Sequence, residues 1–171
     1  MGNGGTLTGD LADTGTNVLS LARDGLGRMA LSGNNTYTGT TTVTRGILQL
    51  GSTGSLSTNS NLRFDGAAGG GGSVELTAAS GDFTRSLGSG PGEMQWAGDG
   101  GFQASSVARS VDIGGSRGTL TWGGGGFVPE GNRLVLGTSN NGALDFQNGI
   151  DLGTGMRESR LRAAPSKDMS E

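Results

Sequence analysis

The sequence predicts an all-β fold in which short strands stack as the rungs of a solenoid. Three observations carry that prediction. Large apolar residues recur in pairs separated by one residue, 37 glycines punctuate the 171-residue chain, and apolar residues at the 3.6-residue helical period are missing.

Taken in order, the pairs are Leu19 and Leu21, Met29 and Leu31, Leu48 and Leu50, Leu62 and Phe64, Val74 and Leu76, and Met94 and Trp96. Val111 and Ile113, Leu120 and Trp122, Leu134 and Leu136, Leu144 and Phe146, and Ile150 and Leu152 follow. A spacing of two puts both members on one face of a strand. Successive pairs lie roughly ten to twenty residues apart, as in a solenoid whose turns differ in length. No pair alone would support a core, but stacked pairs bury a narrow column of Leu, Val, Phe and Trp, with Thr, Ser and Gln outside. Glycine in nearly every window opposes long helices. An antiparallel β-sandwich is the second architecture that this spacing allows. Its two-residue hairpin signals would be Asn141-Gly142 and Asn148-Gly149.

Length fits one domain or several stacked units of one repetitive domain. Leu, Ile, Val and Phe make only about a fifth of the chain, near the range in which chains stay disordered. The net charge of −3, the 16% of charged residues and the regular placement of the large apolar groups favour an ordered β structure. The acidic balance and the lack of a Lys/Arg run exclude nucleic acid as a partner. No stretch approaches the roughly 18 consecutive apolar residues of a membrane helix, so the chain is not itself membrane-spanning. MGNGGTLTGD has neither the basic nor the apolar region of an export signal. Residues 1–155 read as the solenoid. Residues 156–171 are charged and glycine-free, hold the lysine Lys167, and read as a disordered or weakly helical tail.

The run LSGNNTYTGTTTVTRGILQLG, residues 31–51, resembles the autotransporter-associated β-strand repeat, also called the passenger-associated transport repeat. Leu31, Gly33, Asn35, Thr36, Tyr37, Thr38, Gly39, Thr41, Val43, Gly46, Leu48, Leu50 and Gly51 carry the likeness. Ile47 departs from it, standing where the family commonly has a small or polar residue. GDFTRSLGSGPGEMQWAGDGGF, WGGGGFVPEGNRLVLG and ALDFQNGIDLG look like the spacers between such repeats in large exported bacterial proteins. Independently of the family, Gly33, Gly39, Gly46 and Gly51 mark turn positions that tolerate positive φ, and the Thr-rich stretch favours extended structure. The unit reads as strand, turn, strand. The resemblance implies a right-handed parallel β-helix, a secreted or cell-surface location, and a repeat that assists passage across the outer membrane or folding of the passenger. Whole family members also carry an export signal and a C-terminal β-barrel, so this chain is expected to be a fragment of a longer passenger or a truncated or frame-shifted reading.

The search for chemistry yields no catalytic, cofactor-binding or metal site. The chain has no histidine and no cysteine, which removes His-based triads, thiol nucleophiles, thiolate metal sites and disulfides. Carboxylate chemistry on polysaccharides would rest on Asp65, Glu75, Asp112, Asp145 and Asp151, with Arg63 or Arg109 as a charged helper. These read more readily as solvated charges on outward or turn positions. Asp82 and Asp99 read as turn residues. Gly69 to Gly72 and Gly123 to Gly126 lack the Lys-Ser/Thr of a phosphate loop, and Ser73 and Val74 stand where a calcium-binding roll needs aspartate. Trp96, Trp122, Phe102 and Phe127 read as core, although exposed they would make a platform for sugars. Asn34 begins an Asn-Asn-Thr sequon whose turn role is the simpler reading.

The function expected is a non-catalytic structural or display segment, its partners being neighbouring rungs of a longer chain and surface glycans or host ligands. A carbohydrate-binding module or a carboxylate-based polysaccharide-acting β-helix protein is the alternative.

Overall fold

The computed structural model describes residues 4–153; the expected change beyond residue 155 lies outside them. The described residues contain strands, turns and bends and no helix, so none is long and apolar enough to cross a membrane.

The chain winds as a coil. Strand β1 (Gly5–Leu7) lies in the first turn, and β2 (Leu21–Leu31) and β3 (Thr41–Leu50) each bend across two faces of the next two. Later turns break into shorter pieces: β4 (Leu62–Phe64), β5 (Gly72–Leu76), β6 (Met94–Trp96), β7 (Gly100–Ser105) and β8 (Ala108–Val111). The last are β9 (Leu120–Thr121), β10 (Leu134–Ser139), β11 (Ala143–Phe146) and β12 (Ile150–Asp151).

Every strand ladder is parallel. The main sheet runs β1-β2-β3-β5-β7-β10, β4 and β6 extend the first half of β3, β8 carries β11, and β9 carries β12. Parallel neighbours need a long crossover, and here the rest of the coil supplies it. Coils differ in length: 24 residues separate Gly5 from Met29, 20 separate Leu21 from Thr41, and 34 separate Gly100 from Leu134.

This topology overturns the antiparallel sandwich. Antiparallel contacts among the described residues are isolated bridges, Thr14 with Asn17 and Gly66 with Asp99. Neither Asn-Gly pair closes a hairpin. Asn140 and Asn141 do adopt left-handed φ of 48° and 61°, the turn geometry that asparagine tolerates. Yet β10 enters this corner as a partner of β7, and β11 leaves it as a partner of β8. Asn148-Gly149 likewise leads into β12, which pairs with β9. Each strand bonds the strand one coil away because the corner turns the chain onto another face of the solenoid.

The alternating pairs build the column. Leu48 faces Met29 on one side and Val74 on the other, Val74 faces Phe102, and Phe102 faces Leu136. Val43, Phe64 and Trp96 stack in the same way through β3, β4 and β6. Phe64, Phe83, Phe102, Trp96, Phe127 and Trp122 form one connected aromatic cluster with centroids 4.7 to 6.2 Å apart, several edge to face. Strands β1 and β7 carry no pair of large apolar residues; Phe102 alternates with the small, fully buried Ala104.

Two glycines show what the turn positions require. Gly46 sits at φ +70°, and a Cβ there would strike the carbonyl oxygen of Gly25 in the bulge of β2. The register shifts on both sides of Asp24 let that bulge form, and the Arg23 guanidinium donates to the carbonyls of Gly27 (2.8 Å) and Ile47 (3.2 Å). Among the four turn glycines of the repeat, left-handed φ is found at Gly46 alone. Gly39 is required for a different reason: a Cβ would collide with the carbonyl of Leu19 on the preceding coil.

Phe102 is fully buried and touches rings from three other segments, so Phe102→Ala should cost about 3–5 kcal/mol. Leu144→Ala, on a half-buried side chain of the last coil, should cost less than half of that. Urea unfolding followed by far-UV circular dichroism measures both; equal losses would contradict a column centred on the aromatic cluster.

Candidate functional site

Parallel register puts identical outward positions of successive coils in rows. With Leu48, Val74 and Phe102 turned inward, Gln49, Glu75 and Gln103 face outward side by side. Strands in a ladder lie about 4.8 Å apart, so long side chains one coil away can cover a shorter one. Glu75 is covered completely, with 0% of its side chain exposed.

Its carboxylate is the centre of a cluster drawn from five strands. Oε1 accepts from Gln49, and Oε2 accepts from Gln103, from Arg28 Nη2 at 2.9 Å and from Ser139 Oγ at 2.8 Å. Glu75 is therefore a buried structural anion, a correction to the expectation of a solvated charge. A buried charge persists when it is paired and hydrogen-bonded, and neighbouring rungs supply both. Arg28 is about a third exposed, so its charge also reaches solvent. Arg28, Gln49, Gln103 and Ser139 carried no signal as isolated residues. Aligning Leu48-Gln49-Leu50, Val74-Glu75-Leu76 and Phe102-Gln103-Ala104 rung by rung would have shown the Gln-Glu-Gln row.

The remaining carboxylates do not join this cluster. Asp65 pairs with Arg63 at 3.1 Å, both about two-fifths exposed. Asp112 is half-buried and accepts from the Arg117 amide at 2.9 Å. Asp145 and Asp151 are exposed and accept from Gln147 (2.9 Å) and the Gly153 amide (2.8 Å). Arg109 donates to the carbonyls of Thr77 and Ala78 at 2.7 and 2.8 Å, with Asp82 3.8 Å away. Among the described residues no group of three or more acidic side chains is placed to hold a metal ion.

Asp99 does sit at a turn before a strand, but it is buried and ties two loops together. Oδ2 accepts from the Gly69 amide at 2.6 Å, and Oδ1 accepts from the Arg133 amide (2.9 Å) and Asn132 Nδ2 (3.0 Å). The first glycine quartet is thereby part of a loop held by an interior carboxylate. Buried asparagines act similarly at the corners. Asn35 accepts from the Leu11 amide (2.8 Å) and donates to the Ser55 carbonyl (2.6 Å), spanning three coils. Asn61 donates to the carbonyls of Gly88 and Gly90.

The repeat's tyrosine belongs to this interior network. Tyr37 is fully buried with its hydroxyl 2.7 Å from Thr41 Oγ1, which lies 2.8 Å from Ser60 Oγ. Burial raises the Tyr37 hydroxyl above its ordinary pKa, and burial lowers that of the Arg85 guanidinium, which donates to the carbonyls of Ser57 and Ser60. Around the same corner Asp13 accepts from the Thr38 hydroxyl (2.6 Å), the Leu19 amide (2.8 Å) and the Thr38 amide (3.1 Å). The Thr38 hydroxyl and the Leu19 amide hold its carboxyl below the ordinary value of 3.8.

Trp96, Trp122, Phe102 and Phe127 are all buried in the column, at 4% exposure or less, which rules out the sugar-stacking platform. The outer surface thus offers strand edges, corners and polar or charged side chains, with Val18 and Leu26 as exposed apolar groups.

A family model described as the passenger-associated-transport-repeat matches residues 21–50, the unit made of β2, the corner and β3. The chain is also similar to the adhesin BmaC autotransporter of Brucella suis biovar 1 (strain 1330), with 42% identity over 57 residues. That match covers 32% of this chain and 2% of the adhesin. No solved structure matches.

Glu75→Ala would strand Gln49 and Gln103 and should cost about 1–3 kcal/mol, whereas the exposed Asp145→Asn should stay within about 0.5 kcal/mol. Equal urea midpoints for the two variants would contradict the cluster. The bonds to Asp13 stabilise the folded chain fully above pH 3.8 and are lost as pH falls through the lowered folded value. The Leu19 and Thr38 amide shifts should therefore titrate below pH 3.8 and lose that titration in Asp13→Asn. Flat shifts in the unsubstituted protein would contradict the contact.

Proposed function

We propose that this chain, whose residues 21–50 are a passenger-associated transport repeat of autotransporter passengers, is a non-catalytic stretch of solenoid rod in an exported, surface-displayed bacterial protein. The observation that carries this reading is the parallel ladder running through every coil, which makes a stiff column instead of a concave site. Proteins of this type are quasi-one-dimensional: here each backbone ladder joins adjacent coils, and the side chains of Arg28 and Ser139 reach Glu75 from two coils away.

The last described coil supports continuation into a longer rod. Leu136, Leu144 and Phe146 are only partly buried, and Ile150 and Leu152 are each 39% exposed. A further rung of a parent chain would complete their burial. The matched stretch spans about 2% of the adhesin it resembles, a length that holds many such rungs. Residues 4–153 would form part of the rod. Rung-by-rung pairing would also let the segment template the folding of its neighbours and so assist passage across the outer membrane. Any glycan or host ligand would meet the exposed corners.

Replacing residues 21–50 by a Gly/Ser linker of equal length in the parent passenger tests the reading. Protease-resistant passenger on the cell surface, read by flow cytometry, should fall severalfold; unchanged display and resistance would contradict it.

A further inference from the structure

Two Asn-Gly pairs are fully described, and their surroundings differ sharply. Asn148 is buried: its Oδ1 accepts from the Ile113 amide (2.7 Å), and its Nδ2 donates to the carbonyls of Ile113 (2.9 Å) and Gly118 (3.0 Å). Asn141 is exposed, has a left-handed φ of 61°, and its side chain makes no hydrogen bond among the described residues.

We propose that Asn141 is a site of spontaneous covalent conversion to aspartate and isoaspartate, and that the fold protects Asn148 from the same reaction. The Gly142 amide nitrogen, once deprotonated, attacks Asn141 Cγ. The Cγ–Nδ2 bond breaks, ammonia leaves with the proton lost by the amide, and a five-membered imide closes. Water then opens the imide at either carbonyl, so one water is consumed for each ammonia released and no oxidant is involved.

Glycine is the residue that least hinders this attack, because it has no side chain beside the nucleophile. Gly142 N donates to the Ser139 carbonyl at 2.9 Å, so the corner must open first. That opening is local. The corner joins β10 and β11, each of which has a ladder partner on one side only among the described residues. Segments with few partners open at low free energy. At Asn148 the attacked carbon belongs to an amide fixed at both ends, and freeing it breaks contacts between two coils.

The product would matter to the last described coil. It places a negative charge, and for isoaspartate an extra backbone carbon, two residues from Ser139, whose hydroxyl donates to Glu75. The last coil is where such a change would loosen pairing.

The full chain, incubated at mildly alkaline pH and digested, is read by mass spectrometry with isoaspartyl methyltransferase labelling; a parallel sample is held in urea. Conversion of the folded chain at Asn141 should exceed that at Asn148 by about tenfold or more, the factor that one or two net hydrogen bonds correspond to. In urea the two sites should convert at similar rates. Equal rates at both sites in the folded chain, or an intact Asn141 under conditions that convert it in urea, would overturn the proposal.

Discussion

Each strand of this chain is too short and too poor in apolar residues to hold itself in place, so parallel hydrogen bonding to the strand one coil away decides where every other group lies. The same pairing sets the register that stacks Leu48, Val74 and Phe102 inward and Gln49, Glu75 and Gln103 outward. A slip of one residue would exchange the two rows and turn the core to solvent. Apolar burial and polar staples are therefore consequences of one backbone constraint, and neither could be specified without it.

The staples explain how a composition with so little large apolar surface holds a column together. Glu75 draws on five strands, Asp99 on two loops, and Asn35 on three coils. Each satisfies backbone or side-chain groups that a thin core cannot exclude from water by itself. The interior thus mixes an apolar column with carboxylates and amides at its walls and corners, and the links described join neighbouring coils or, at Glu75, coils two apart.

Much of the architecture was legible in the sequence because the two-residue period is local. Val74 and Leu76 declare a strand and its inward face without reference to anything else. The run from Leu31 to Gly51 was legible for the same reason, since its corner and β3 follow one another, whereas β2, the first strand of the matched unit, lies almost wholly before it. What was hidden depends on residues a full coil apart. Glu75 looks like a solvated charge until Gln49 and Gln103 are set beside it, and the turn geometry at Asn141 looks like a hairpin until β7 and β8 take the strands on either side. Gly39 looks like a left-handed turn residue until the backbone of the preceding coil is found against it.

Cross-linking between coils tests the parallel register most directly, because the chain has no cysteine of its own. Thr42 and Arg63 are register partners in β3 and β4, at the Cα separation that a disulfide accepts. The paired variant Thr42→Cys, Arg63→Cys should oxidise to an internal disulfide under mild conditions. Thr138→Cys, Asp145→Cys, a pair that a hairpin closed at Asn141-Gly142 would set opposite each other, should stay reduced. A disulfide in the second variant and free thiols in the first would contradict the stacked coil.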